Sequence, residues 1–108
     1  MPKQKQLTCI VRLKKGKRKV PAFAVLGNWA VHPLVLGDGK ELQLSTYTAS
    51  VTHLPTGLRA RHIGLRKDYT KILVRYNALF GKAATLTGVI RKYRAFSKED
   101  KYWATHPC

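Results

Sequence analysis

Acidic residues are scarce in this sequence. Only five of its 108 residues are Asp or Glu, whereas 21 are Lys or Arg, so the formal net charge is +16. A catalytic pair of carboxylates is hard to assemble from so few groups. Asp38 and Glu41 share one loop, while Glu99 and Asp100 are adjacent, and adjacent residues on a helix do not face each other. We therefore predict that the protein is not an enzyme and has no catalytic residues.

Cysteines are also scarce, and the sequence has no spacing typical of metal ligands. The chain holds two cysteines, Cys9 in an apolar stretch and Cys108 at the last position, and we interpret both as free thiols in a reducing compartment. The four histidines lie at no close metal-binding spacing from one another or from either cysteine. Glycine-rich phosphate-binding and dinucleotide-binding motifs are missing as well. We therefore predict neither a metal nor a cofactor.

A long apolar run that could span a membrane is lacking too. The uncharged stretch 20–36, "VPAFAVLGNWAVHPLVL", is barely long enough, and Pro21, Gly27 and Pro33 interrupt it. Two buried strands joined by a turn at Gly27–Asn28 explain it better than a signal peptide or a membrane span. We therefore predict no contact with a membrane.

The first half of the chain has the two-residue period of β-strands. Leu7, Cys9, Val11 and Leu13 alternate with more polar residues, and turn signals recur at "KKGK", "GDGK" and "LPTG". The residues from Arg18 to Leu26 form the next apolar stretch, which we read as one strand. Apolar positions change phase near Ser45, which indicates a β-bulge. Residues 7–63 are therefore predicted to be mostly β.

The second half has helical spacing. One set of apolar residues stands at i, i+3, i+4, i+7 and i+11, and a second set follows after Gly81. These sets are Tyr69, Ile72, Leu73, Tyr76 and Phe80, then Leu86, Val89, Ile90, Tyr93 and Phe96. Ser97 can cap a last short turn that Trp103 packs onto the core. We predict an α+β fold: an N-terminal antiparallel sheet of about four to five strands, then two C-terminal helices within residues 66–105. Residues 1–108 form a single basic domain in this prediction, with residues 1–6 flexible.

The positive charge is concentrated in two flanks. Residues 1–19 hold eight basic residues and no acid, residues 20–58 carry one net negative charge, and residues 59–108 hold twelve basic and three acidic residues. A small domain needs a net charge of only about 2–8 for solubility, and self-repulsion beyond that destabilises the compact state. The excess indicates a polyanionic partner, of which nucleic acid is the commonest.

Four groups of basic residues are the candidate contacts. The first lies at the tip of a predicted hairpin, the second shares one face of a strand, and the others form stripes on the two helices. These residues are Lys14, Lys15, Lys17, Arg18 and Lys19; Arg59 and Arg61; Lys67, Lys71 and Arg75; and Arg91, Lys92 and Arg94. Like charges at i and i+4 reduce helix stability, which suggests that the stripes have a use.

The segment "ASVTHLPTGLRARHI", followed directly by a helix, resembles a hairpin–helix unit of small bacteriophage and mobile-element proteins. In that family a V-T-H-x-P-[ST]-G-L turn joins two strands, and Pro55 and Gly57 are also the residues that turn chemistry selects. The match covers about residues 47–80. The resemblance implies a cytoplasmic location in a bacterial host, and it carries over no functional residues.

Three hypotheses for function remain open. The first is a non-enzymatic protein that binds DNA or RNA, mainly through the phosphate backbone. The alternative is a phage-type inhibitor or adaptor that docks on an acidic surface of a nucleic-acid-processing enzyme. The third is a component of a ribonucleoprotein. Burial of residues 20–36 separates the first two, because a contiguous exposed patch there favours a protein partner.

Overall fold

A computed structural model describes residues 7–13, 16–36, 43–64 and 68–106. Within them, six strands precede three helices, which confirms the α+β prediction. The strands are β1 (Thr8–Leu13), β2 (Gly16–Pro21), β3 (Ala24–Leu26), β4 (Trp29–Leu36), β5 (Gln43–His53) and β6 (Leu58–Gly64). The helices are α1 (Tyr69–Phe80), α2 (Leu86–Arg94) and α3 (Lys98–Thr105). Residues 1–6, predicted to be flexible, lie outside the described residues.

The strands form two antiparallel sheets instead of the single sheet of four to five strands that we predicted. β1 pairs with β2, and a second sheet has the order β3-β4-β5-β6. The reason lies at Ala22 and Phe23, where the chain changes partners. The Ala22 amide donates to the Leu7 carbonyl at 2.8 Å, whereas the next amide, of Phe23, donates to the Val31 carbonyl at 2.8 Å. The apolar stretch read as one strand is therefore two strands, β2 and β3.

Three helices follow, although two were predicted. The last turn that Ser97 was expected to cap is a helix of eight residues, α3, whose Asp100 amide donates to Ser97 Oγ at 3.2 Å. Asp68 caps α1 in the same way, because the Lys71 amide donates to its Oδ1 at 3.1 Å. Satisfying a free amide at the first turn stabilises a helix by about 1 kcal/mol.

The four-stranded sheet is the middle of three layers. One face carries Trp29, Val31 and Val51, which are buried against the helices. The opposite face carries Ala30 and Val35, which are buried against the β1–β2 hairpin. Because successive side chains of a strand point to opposite faces, the alternation of Trp29, Ala30 and Val31 makes β4 contribute to both cores. Val35 lies beyond the register shift that follows Pro33 and packs in the hairpin core.

Aromatic rings fill the core between the sheet and the helices. Trp29 is completely buried, and its ring centroid lies 4.7 Å from that of Tyr76 and 5.0 Å from that of Phe80. Tyr76 in turn lies 4.9 Å from Trp103 and donates its hydroxyl to the Ala104 carbonyl at 2.6 Å. Aromatic pairs of this kind contribute about 0.5–1.5 kcal/mol each beyond area burial. They hold α1 and α3 against the sheet.

The predicted irregularity near Ser45 is present and larger than one residue. Pro33 pairs with Ala49 and Val35 pairs with Leu44, so residues 45–48 of β5 lie opposite one residue of β4. Ser45 Oγ accepts hydrogen bonds from the amides of residues 47 and 48, each at 3.1 Å. The surplus on β5 is an odd number of residues, which moves the following apolar side chains to the other face.

A second bulge, which no sequence pattern predicts, lies in β6 at Ala60. Val51 pairs with Arg61, whereas the adjacent Thr52 pairs with Arg59, which leaves Ala60 as the extra residue. Paired residues share a face of a sheet and adjacent residues do not. Arg59 and Arg61 therefore lie on opposite faces, which corrects the prediction that they share one.

Candidate nucleic-acid interface

Two lysines of the β1–β2 hairpin lie on its outer face. Lys17 and Lys19 are exposed, and Lys19 pairs with exposed Ile10 on the face turned away from the four-stranded sheet. Arg18 is also exposed, but it pairs with buried Val11 and so lies on the other face of the hairpin. Lys14 and Lys15 lie outside the described residues. Of the predicted hairpin-tip group, the structure thus places Lys17 and Lys19 together on one surface.

A second set of cations lies on α2. Arg91, Lys92 and Arg94 are exposed and occupy its last turn. The carbonyl end of a helix carries partial negative charge, so cations there stabilise the helix at the same time as they face solvent. Ala95 follows as the C-terminal cap, and the exposed Lys98 begins the next helix. Three of the four residues 91–94 are therefore exposed cations.

Three lysines outside our predicted groups add to the surface. Lys82 and Lys98 are exposed, and the Lys101 ammonium lies 5.8 Å from the ring centroid of Tyr93. These lysines were not predicted as contact residues because none belongs to an i, i+4 stripe within one predicted helix. Lys98 follows Arg94 by four residues across the Ser97 cap. That spacing, continued through the turn, is the signal that would have included it.

The predicted stripe on α1 is only partly a free surface. Lys71 is exposed, whereas Arg75 forms an ion pair with Asp100, with Nη2 and Oδ1 separated by 3.2 Å. The Arg75 guanidinium also lies over the Trp103 ring, 4.2 Å from its centroid. Lys67, the first member of the stripe, lies outside the described residues.

Arg61 lies in the protein interior. It is 5% exposed, its Nη1 donates to the Trp103 carbonyl, and its guanidinium lies 4.3 Å from the centroid of the Trp103 ring. Nε and Nη2 are buried without a hydrogen-bond partner among the described residues. Arg61 is therefore not part of the exposed basic surface that includes Lys71. Arg59, half-buried on the other face of β6, is likewise separated from Arg61.

The two groups of exposed cations lie on opposite sides of the central sheet. The hairpin packs against one face and the helices against the other. Stacked sheets are about 10 Å apart, so a third layer of helices puts the two basic surfaces at the far sides of the molecule. The structure therefore brings together the α2 cations, and separately Lys17 with Lys19, but it does not merge these groups into one patch.

The two buried histidines have roles inside the fold. His32 Nδ1 donates to the Pro33 carbonyl at 2.8 Å, and its Nε2 accepts from the Thr52 hydroxyl at 2.7 Å. Burial lowers the pKa of His32, and the nearby Arg59 charge lowers it further against the opposing effect of the carbonyl bond. His53 donates from Nε2 to the Ala83 carbonyl at 2.7 Å and so ties β5 to the α1–α2 loop. Within the described ranges, no three His, Cys, Asp or Glu residues group as metal ligands.

The uncharged segment 20–36 is mostly core. Val20, Trp29, Ala30 and Val31 are buried, while β3 leaves some apolar surface exposed between them. The exposed apolar residues of the segment are Phe23, Val25, Leu26 and Leu36. Phe23 stacks on Tyr69, with 5.2 Å between ring centroids. None of the helices in the described chain has the length and apolar character needed to cross a membrane.

Comparison of the chain with protein-family models, with curated proteins and with solved structures finds no match. Inference about function therefore starts from the residues of this chain: the cations on α2 and the hairpin, and the cluster around Arg61.

Proposed function

We propose that this is a small, non-enzymatic nucleic-acid-binding protein that contacts mainly the phosphate backbone of DNA or RNA. The observation that carries the proposal is the run of exposed cations at the end of α2, continued by Lys98, with little acidic charge to neutralise it. Of the three described acids, Asp68 caps α1, Asp100 is paired with Arg75, and Glu99 lies in the first turn of α3. Arg91, Lys92 and Arg94 have no ion-pair partner in the described ranges, so their charge is free to attract an anion.

Contacts to phosphate explain these residues better than contacts to bases. Lys and Arg side chains at an exposed helix end contact phosphates, and such contacts position a protein on nucleic acid without reading its base sequence. Stacking of unpaired bases needs exposed aromatic rings among basic residues. Among the aromatic rings near the basic helices, Tyr76 is completely buried and Tyr93 is half-buried. Tyr102 is 64% exposed, but one face of its ring is stacked on His106 at 3.8 Å between centroids. Binding with little sequence preference and strong salt dependence follows.

A second function has one observation in its favour. Phe23, Val25 and Leu26 leave an apolar strip exposed along β3, the edge strand of the central sheet. An edge strand with apolar side chains suits docking of another protein. In that case the protein is an inhibitor or adaptor that docks on the acidic surface of a nucleic-acid-processing enzyme. Most residues of the segment 20–36 are buried or half-buried, which gives nucleic acid the stronger case.

Salt-dependent binding tests the proposal. Fluorescence anisotropy with short single- and double-stranded oligonucleotides is measured at several salt concentrations. Each phosphate contact on duplex DNA contributes about 0.9 to the slope of log affinity against log salt. The double variant Arg91→Gln/Lys92→Gln should therefore lower the slope by about 1.8 relative to the parent. A parent slope of about one or less contradicts phosphate-mediated binding.

A matched pair of variants shows which side of the molecule binds. Lys17→Gln/Lys19→Gln removes the same charge from the hairpin as Arg91→Gln/Lys92→Gln removes from α2. Because the hairpin and the helices lie on opposite faces of the sheet, a short duplex should respond to one variant more than to the other. If neither variant changes affinity or slope, the exposed cations do not bind nucleic acid.

A further inference from the structure

A pocket of about 420 Å³ opens between α1, α3 and the end of β6. Seven residues line it, and three of them carry positive charge. The lining residues are Arg61, Asp68, Lys71, Ile72, Val74, Arg75 and Trp103. This volume is within the range of small-ligand sites, which is about 300–1,000 Å³. The pocket lies beside the surface that α1 presents to solvent.

The buried guanidinium of Arg61 is the unusual feature of this pocket. The residue is 5% exposed, yet Nε and Nη2 have no hydrogen-bond partner among the described residues. Burying a cation costs free energy unless an anion or hydrogen-bond acceptors compensate for the lost water. Nη1 has such an acceptor, the Trp103 carbonyl, and the Trp103 ring faces the guanidinium. Nε and Nη2, which together carry three N–H groups, have no acceptor among the described residues, so the positive charge of Arg61 remains uncompensated.

The charges around Arg61 favour an anion as that ligand. Lys71 and Arg75 add two positive charges to the lining, and Asp68 adds one negative charge. The Asp68 carboxylate accepts from the Lys71 amide, and Asp100 is occupied by Arg75. The sum of the charges on the lining residues is positive. Guanidinium groups match the oxygens of phosphate and carboxylate with parallel N–H donors, which an ammonium alone does not.

We propose that this pocket binds one phosphate group of the nucleic acid, held by Arg75 and Lys71 at its mouth and attracted by the buried positive charge of Arg61 at its base. The inference rests on the proposed function and gives it a defined site. It also separates two kinds of contact: the exposed cations of α2 attract the backbone over a distance, whereas the pocket fixes one phosphate in place. A phosphate at the mouth would place a negative charge beside the buried Arg61 guanidinium, which has no ion-pair partner among the described residues.

Arg61 also joins α3 to β6, so a purely structural role must be distinguished from binding. If the role of Arg61 were only structural, its Nε–Hε resonance would not shift when phosphate is added, and replacement of Lys71 would not change that result. The primary experiment is a titration of the protein with inorganic phosphate, read from the Nε–Hε resonance of Arg61 in ¹H–¹⁵N spectra. Sodium chloride at the same ionic strength is the reference. We expect a saturable shift with phosphate and none with chloride.

Two single-charge variants complete the phosphate titration. Lys71→Gln should weaken phosphate binding about two- to fivefold, the range for loss of one exposed charge pair. Lys82→Gln removes the same charge from an exposed residue outside the pocket, so it should weaken phosphate binding less than Lys71→Gln does. Equal effects of phosphate and chloride on Arg61, or equal affinities of Lys71→Gln and the parent, overturn the site.

Oligonucleotide binding by the same variants separates this inference from the proposed function. If Lys71→Gln loses more affinity than Lys82→Gln and inorganic phosphate competes with the oligonucleotide, the pocket holds a phosphate of the nucleic acid. Equal affinities of the two variants refute the pocket while the proposed function stands. If no oligonucleotide binds, the proposed function fails, and with it the assignment of the pocket to nucleic acid.

Discussion

The turn between β3 and β4 supports a sharp prediction, because α1 packs directly on Gly27. Gly27 has a φ of +59°, and a Cβ added there would overlap Asn77 Oδ1 and lie 3.1 Å from Asn77 Cγ. Asn77 Nδ2 donates to the Leu26 carbonyl at 2.9 Å and to the Leu73 carbonyl at 2.8 Å. Gly27→Ala must therefore strain the turn and displace the side chain that ties the helix to it.

The expected magnitude has two parts. A left-handed backbone costs a residue with a Cβ about 1–2 kcal/mol. Each of the two Asn77 hydrogen bonds contributes about 0.5–1 kcal/mol, the lower part of the usual range, since Asn77 is half-exposed. The free energy of unfolding should therefore fall by about 2–4 kcal/mol in Gly27→Ala. Urea denaturation with an unchanged m-value measures this loss.

A double-mutant cycle tests whether the contact with Asn77 causes the loss of stability, in addition to how large the loss is. Asn77→Ala removes the overlap and the hydrogen bonds together, so Gly27→Ala should cost only its backbone strain in that background. The two single losses should exceed the loss in the double variant by about 1–2 kcal/mol. Gly64→Ala is the control, because a Cβ there meets nothing within 4 Å. Additive losses in the cycle would refute the contact between Gly27 and Asn77.

Three further predictions follow from single residues. Burial, assisted by Arg59, holds the pKa of His32 below its ordinary value of 6.5, so the folded protein binds fewer protons there than the unfolded chain. Stability should be constant above that value and fall as the pH drops below it, and His32→Gln should lack this slope in urea denaturation at several pH values. Asp68→Ala removes the cap of α1 and should cost about 1 kcal/mol in the same assay, whereas Asp68→Asn should cost less. Burial raises the pKa of the Cys9 thiol, so in a Cys108→Ser background iodoacetamide should label Cys9 only after unfolding; rapid labelling of the native protein would contradict its burial.

Local patterns were sufficient for much of the fold. The spacing from Tyr69 to Phe80 predicted α1, and the structure has the helix over these same residues. The Gly27–Asn28 dipeptide predicted the turn between β3 and β4. Ser97 predicted the start of α3, although not that the helix would continue for eight residues. Each of these features is determined by residues close together in the sequence, so local patterns predict it.

Long-range pairing was beyond local patterns. The stretch from Arg18 to Leu26 reads as one strand, because the change of partner at Ala22 and Phe23 depends on hydrogen bonds to Leu7 and Val31. Arg61 is the clearest case for the site. Its alternation with Arg59 predicts a shared face, but a bulge at Ala60 and a carbonyl 42 residues away place it inside the protein.

The candidate contact residues show the same difference between features set by local sequence and features set by long-range packing. Exposure of Lys17, Lys71 and the α2 cations agrees with their polar surroundings in the sequence. The pocket does not appear in any stripe, because its lining comes from β6, α1 and α3 together. Sequence reasoning thus finds charged surfaces more readily than it finds the cavities between elements.

The two cores give the molecule two levels of cooperativity. The hairpin packs through small side chains, among them Val11, Val20 and Ala22, whereas the helices pack through a cluster of large aromatic rings around Trp29. Less apolar area holds the hairpin, so it can open while the aromatic core stays closed. Amide hydrogens of β2 should exchange with solvent through this local opening, and those at the centre of β4 and β5 only through unfolding of the whole domain. A polyanion on Lys17 and Lys19 would then reveal itself as slower exchange confined to the hairpin.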